Sequence, residues 1–119
     1  METGMETGVG AKDLDCALIV YITCPSEEKA RALGRSMVEK RLAACVNVFE
    51  RITSYYWWEG SLCEEAEAAL IAKTSKAQLD ELVRFVKETH DYQVPAVVAI
   101  PVHGGNEEFL SWVLDEVRP

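Results

Sequence analysis

A chain of 119 residues that is 49% hydrophobic supports one domain with its own core, and needs no disulfide or metal staple. Its formal charge of −8 excludes the basic surface that neutralises nucleic-acid phosphates. No apolar run reaches the roughly 20 residues of a membrane span, and Cys16, Cys24, Cys45 and Cys63 form no C-x-x-C pair for zinc or dithiol chemistry.

The chain opens on Met1-Glu2-Thr3-Gly4, repeated at once as Met5-Glu6-Thr7-Gly8. Residues 1–13 are small, polar and acidic. They read as a mobile tail without the apolar stretch of a secretory signal, and residues 14–119 as the domain. Reduced thiols and the missing signal predict a cytoplasmic protein. Cys16 to Thr23 is nearly continuously apolar, as in a central strand paired on both edges. Pro25 ends it, and Ser26 is placed to cap a helix that begins with Glu27 and Glu28. Ala30, Leu33, Met37, Val38 and Leu42 recur at helical spacing, so they form that helix's buried stripe.

Ala44 to Trp58 then carries Val46, Val48, Phe49, Ile52 and Thr53, followed by Tyr55, Tyr56, Trp57 and Trp58. β-branched and aromatic residues favour a strand. Glu59-Gly60-Ser61 is a turn, and Leu62 to Thr74 alternates as the return strand. A turn centred on Gly60 would set Asn47 opposite Lys73. Fourteen residues at a rise of about 3.3 Å make roughly 46 Å, whereas a compact chain of this length has a radius of gyration of about 13.5 Å. The hairpin therefore overhangs its core unless a bulge near Glu50-Arg51 bends it back. Its aromatic tip calls for cover by other subunits.

Ser75 and Gln78 have the spacing of a capping box before a second helix, with Leu79, Leu82, Val83 and Val86 on one face and an end near Thr89. Ala96 to Val102 is a fourth strand, with Pro95 and Pro101 marking an exposed edge. Asn106 caps a last helix carrying Phe109, Leu110, Val113, Leu114 and Val117 at helical spacing. Strand, helix, strand, strand, helix, strand and a terminal helix predict an α+β, ferredoxin-like split β-α-β sandwich. One face of its sheet is left for a partner to cover.

These residues resemble the CutA family of divalent cation tolerance proteins. The matching pieces are Thr23-x-Pro25, Val38-Glu39-Lys40-Arg41-Leu42-Ala43-Ala44-Cys45-Val46-Asn47, Ile52-Thr53-Ser54-x-Tyr56-Trp57-x-x-Gly60, Glu67 leading to Lys73-Thr74, His90-x-Tyr92-x-x-Pro95, Pro101-Val102 and Leu110-Ser111-Trp112-Val113. The resemblance implies a homotrimer with an assembly like that of the PII signalling proteins. It also implies a role in tolerance to divalent metal, copper above all. The family's His-Pro-Tyr is His90-Asp91-Tyr92 here. A copper set of one Cys late in the first strand and two adjacent His falls on Ile22, Thr89 and His90.

The candidate metal ligands are His90 and Cys45. Imidazole and thiolate are the ligands copper or another divalent metal would seek, although each also reads as a helix-end cation or a packed thiol. Lys73, Glu67, Tyr92 and Asn47 are candidates for an intersubunit ligand cleft. Glu67 and Lys73 share a strand face about 20 Å apart, so they bracket a groove or meet different subunits. The Glu64-Glu65-Glu67 cluster otherwise reads as a solvated face. Tyr55, Tyr56, Trp57, Trp58 and Trp112 are read as interface anchors.

Three readings follow: a metal-binding trimer, a PII-like sensor of a small metabolite or nucleotide, and a scaffold for a partner protein. Enzymatic activity is not expected, because no Ser/His/Asp or Cys/His set, phosphate-binding glycine loop or H-E-x-x-H is present. Nucleic acid and membrane are not expected partners.

Overall fold

The computed structural model describes residues 15–118, so the tail read from residues 1–13 falls outside the described residues. Strand β1 (Ala17–Cys24) turns Leu18, Val20, Ile22 and Cys24 into the core. Ser26 then accepts a hydrogen bond from the Lys29 amide at 3.2 Å and starts helix α1 (Glu27–Glu39). Ala30, Leu33 and Met37 of α1 are buried as expected. Val38 is not: it is 39% exposed, one position outside the packed stripe.

Helix α1 ends in a left-handed residue that is not glycine. Arg41 has φ 62°, with its amide bonded to the Val38 carbonyl and the Leu42 amide to that of Met37. This is the paired closure of a helix end, with Leu42 and Met37 both buried. The Arg41 side chain compensates for the unfavourable φ by gripping the far end of the chain. Its guanidinium reaches the Glu116 carboxylate at 2.6 Å and the Glu116 carbonyl at 3.0 Å.

Strands β2 (Cys45–Trp58) and β3 (Ser61–Ser75) form the long hairpin. Glu59 and Gly60 both have positive φ, 49° and 82°, which matches a two-residue turn to the twist of its strands. The ladder runs from Trp58↔Ser61 to Ile52↔Glu67, slips at Glu50–Arg51, and resumes at Phe49↔Ala69. A bulge does sit at Glu50–Arg51, but it does not bend the hairpin back over its core. The register expected for the base is corrected: Cys45, not Asn47, lies opposite Lys73, and Asn47 faces Ile71. Half of that difference comes from a turn centred between Glu59 and Gly60, and half from the bulge residue.

Ser75 accepts from the Gln78 amide at 3.2 Å and caps a short 3₁₀ turn (Lys76–Gln78) that leads into helix α2 (Leu79–Thr89). The capping box does not close. The Gln78 side chain instead donates to the Arg41 carbonyl at 3.0 Å, joining the starts and ends of two helices. Strand β4 (Val97–Pro101) pairs only with β1, and Asn106 caps helix α3 (Glu107–Glu116) through the Glu108 and Phe109 amides.

The sheet is antiparallel, in the order β2-β3-β1-β4, which is the ferredoxin-like arrangement. One core forms where Leu18, Val20, Ile22, Leu70 and Ala72 meet Ala30, Leu33, Met37, Leu82 and Val86 of α1 and α2. The hairpin does overhang it. The molecule measures 53 × 30 × 26 Å. Its radius of gyration is 16.3 Å, against about 13.5 Å for a compact chain of this length.

Candidate functional site

The face of the sheet away from α1 and α2 carries the site. Alternation and register decide its membership: Glu65 and Glu67 of β3 share this face with Ser54, Tyr56 and Trp58 of β2 and Tyr21 and Thr23 of β1. The segment from Tyr92 to Ala96 folds over the same ground. Together they enclose a cleft of about 710 Å³ at the root of the overhanging hairpin.

Two tyrosine–carboxylate pairs furnish the cleft. Tyr92 donates its hydroxyl proton to Glu67 Oε2 at 2.5 Å, and Tyr56 donates to Glu65 Oε1 at 2.5 Å. Glu67 is only 8% exposed, which corrects its reading as part of a solvated face. Burial, then the bond to Glu67, drives the Tyr92 phenol well above its ordinary range. The bond to Glu65 is the main cause that pushes Tyr56 up to about 12. Both phenols therefore stay protonated as donors.

His90 sets Tyr92 in place. Its Nε2 lies 2.6 Å from the Thr23 carbonyl, and its Nδ1 accepts from the Tyr92 amide at 3.0 Å. A carbonyl accepts and an amide donates, so the ring is the neutral Nε2–H tautomer with both nitrogens engaged. The His90 and Tyr92 rings lie 4.7 Å apart. Behind this latch sits Cys24, fully buried, with its thiol raised to about 11 by burial and then by the charges of Glu67 and Asp91.

The structure therefore brings together His90, Tyr92 and Glu67. It places the other candidates elsewhere. Lys73 donates to Asn47 Oδ1 at 2.6 Å, and with Cys45 these residues occupy the base of the hairpin. Six residues of strand, about 20 Å, separate Lys73 from Glu67. His90 and Cys45 do not meet within the protomer. Among the described residues no group of three or more His, Cys, Asp or Glu side chains converges as metal ligands. A copper ion asks for several soft or imidazole ligands, so a single protomer does not fit one.

The four hairpin aromatics are not one cluster. Tyr56 and Trp58 line the cleft, whereas Tyr55 and Trp57 point to the opposite side and are 67% and 73% exposed beside Leu62. Trp112 is on α3 against Phe109, with ring centroids 5.6 Å apart. The Tyr56–Glu65 pair was not foreseen. Its signal lies in Trp58-Glu59-Gly60-Ser61: a two-residue turn there sets Tyr56 opposite Cys63 and diagonal to Glu65.

Comparison with known proteins agrees with this architecture. The family model described as "CutA1 divalent ion tolerance protein" matches residues 18–116. The chain is 45% identical over 95 residues to the divalent-cation tolerance protein CutA of Thermus thermophilus, covering 80% of this chain and 92% of that one. It is 43% identical over 102 residues to the chloroplastic CutA 1 of Oryza sativa, covering 86% of this chain and 58% of the relative. The chain thus spans little more than half the length of the plant and mammalian relatives it matches. Solved structures of the Thermus thermophilus and Oryza sativa proteins superpose with TM-scores of 0.82 and 0.84, each at 43% identity. They cover 84% and 87% of this chain, and the chain covers 97% and 94% of them.

Proposed function

Since the chain belongs to the CutA1 divalent ion tolerance family, we propose that it serves divalent-cation tolerance as a homotrimer whose clefts bind a small ligand, in the manner of a PII-like sensor and without catalysing a reaction. The observation that carries this reading is the cleft at the hairpin root, where a buried carboxylate and two fixed phenols converge in a space the size of a small-molecule site. The exposed Tyr55, Trp57 and Leu62 on one side of the hairpin, and Phe49, Val98 and Ile100 on the far face of the sheet, support an assembly that covers them. The four free thiols support a reducing compartment such as the cytoplasm. Among the described residues no helix is long and apolar enough to cross a membrane.

The alternative, direct copper binding through His90, requires a free ring lone pair, but the one on Nδ1 already accepts from the Tyr92 amide and Nε2 carries the proton donated to the Thr23 carbonyl. In this proposal the metal response runs through the ligand of the cleft, and His90 holds Tyr92. Sedimentation at micromolar protein should give the mass of three chains, and replacing Tyr55 and Trp57 with Ser should dissociate it. Calorimetry with Cu(II) should give the same isotherm for wild type and His90→Ala. A monomeric wild type, or copper affinity lost with the imidazole, would overturn the proposal.

A further inference from the structure

We propose that a second pocket, in the helix layer, binds a free α-amino acid with a short branched apolar side chain. This pocket, of about 210 Å³, opens between α1 and the C-terminal end of α2. It stands apart from the cleft at the hairpin root. The two helices pack on one face of the sheet, so the pocket lies on the side opposite the face that the proposed assembly covers.

The floor is apolar, lined by Cys24, Ala32, Leu33 and Phe85. Cys24 is a neutral thiol there, raised to about 11 chiefly by burial, and packs as a small hydrophobe. His90 adds ring surface only, since both its nitrogens are engaged by backbone groups. Charge comes from one pair that spans the gap: Lys29 Nζ on α1 lies 3.4 Å from Asp91 Oδ2, just past α2. Both side chains are more than half exposed, whereas Cys24 and Leu33 are buried, so the ion pair lies at the mouth.

An α-amino acid matches that layout. Its carboxylate meets Lys29, its ammonium meets Asp91, and its side chain lies on Leu33 and Phe85. Opening the Lys29–Asp91 pair loses little, because an exposed pair contributes little and two new pairs replace it. Burial of the ligand's side chain is the gain. Other classes use only part of the site. An anion would meet Lys29 but also Asp91 and the negative end of the α2 dipole. A cation would meet Asp91 but face Lys29. A neutral apolar molecule would fill the floor and gain nothing from the charges. The volume lies below the roughly 300–1,000 Å³ of a drug-sized site, so the occupant is small. A metal ion is disfavoured, because among the described residues no three candidate ligand side chains converge.

The test is an NMR titration of the assembled full-length protein with L-leucine, isocaproate, which lacks the ammonium, isoamylamine, which lacks the carboxylate, and glycine, which lacks the side chain. L-Leucine should shift the amides of residues 29–36 and 85–91. It should bind about ten-fold or more tightly than glycine, and about three-fold or more tightly than isocaproate or isoamylamine. Lys29→Met and Asp91→Asn should each weaken L-leucine about three-fold or more. Ala32→Phe, which fills the pocket from an exposed helix position, should remove its binding. All three positions are exposed, and circular dichroism checks that each variant folds. Unshifted amides in those two segments, isocaproate or isoamylamine binding as tightly as L-leucine, or L-leucine binding indifferent to Ala32→Phe would overturn the proposal. Shifts confined to the residues of the cleft would assign L-leucine there and overturn it as well.

Discussion

The two halves of the β2–β3 ladder, either side of the bulge at Glu50–Arg51, have the same alternating composition and different fates. In the inner half Val46, Val48, Leu70 and Ala72 pack beneath the helices and complete the core. In the outer half Tyr55, Trp57 and Leu62 occupy the equivalent side of the ribbon with no helix over them. An apolar residue in the first half stabilises the protomer. In the second it is surface held ready for something outside the chain. A strand pattern states which residues share a face, and the length of the neighbouring elements decides whether that face is covered.

The sharpest separation of the halves is by truncation. Leu70→Ala should destabilise by about 2–5 kcal/mol, lowering the thermal midpoint at every protein concentration. Trp57→Ala should lower the midpoint mainly on dilution, because its loss falls on association. Equal, concentration-independent losses for the two would erase the distinction. Next in size is Gly34→Ala. A Cβ there would lie 2.8 Å from Val46 Cγ1, a stiff branched side chain of the inner half. Overpacking of about 1–3 kcal/mol should outweigh the helix propensity gained, as urea unfolding would show.

Thiol reactivity probes the same contrast without altering the chain. Cys24, sealed under the inner half and raised to about 11, should alkylate only through unfolding, while half-buried Cys63 in the outer half should react about ten-fold or more rapidly at pH 8. Mass spectrometry of time points reads both. The smallest effect is at alkaline pH. Tyr56 has its folded pKa raised from 10.0 to about 12, so its contribution is fully present below pH 10 and is lost as pH climbs through the folded value. Tyr56→Phe should flatten that part of the stability–pH curve, which a chemical denaturation series between pH 9 and pH 12 measures. An unchanged slope would mean that the pair with Glu65 does not persist in solution.

Much of the frame was legible in the residues themselves. The caps at Ser26 and Asn106 and the helical stripes depend on neighbours a few positions away, where spacing fixes geometry, and the succession of elements along the chain follows from them. The site was legible only in part. Glu67 and Tyr92 were recognisable as candidates, but the burial of Glu67 and the capture of both His90 nitrogens were not. They require the 90–96 segment to cross over β1 and β3, contacts with residues 67 and 25 positions away in the chain.

Local pattern alone determined the elements, their order along the chain and the presence of a hairpin too long for its core. Tertiary structure decided which side of that hairpin each aromatic occupies, because a turn shifted by half a residue and one bulge together change every pairing at its base. It also decided that the acidic stripe becomes a cleft. That outcome depends on a distant loop bringing Tyr92 to within hydrogen-bonding reach of Glu67, which no local periodicity encodes.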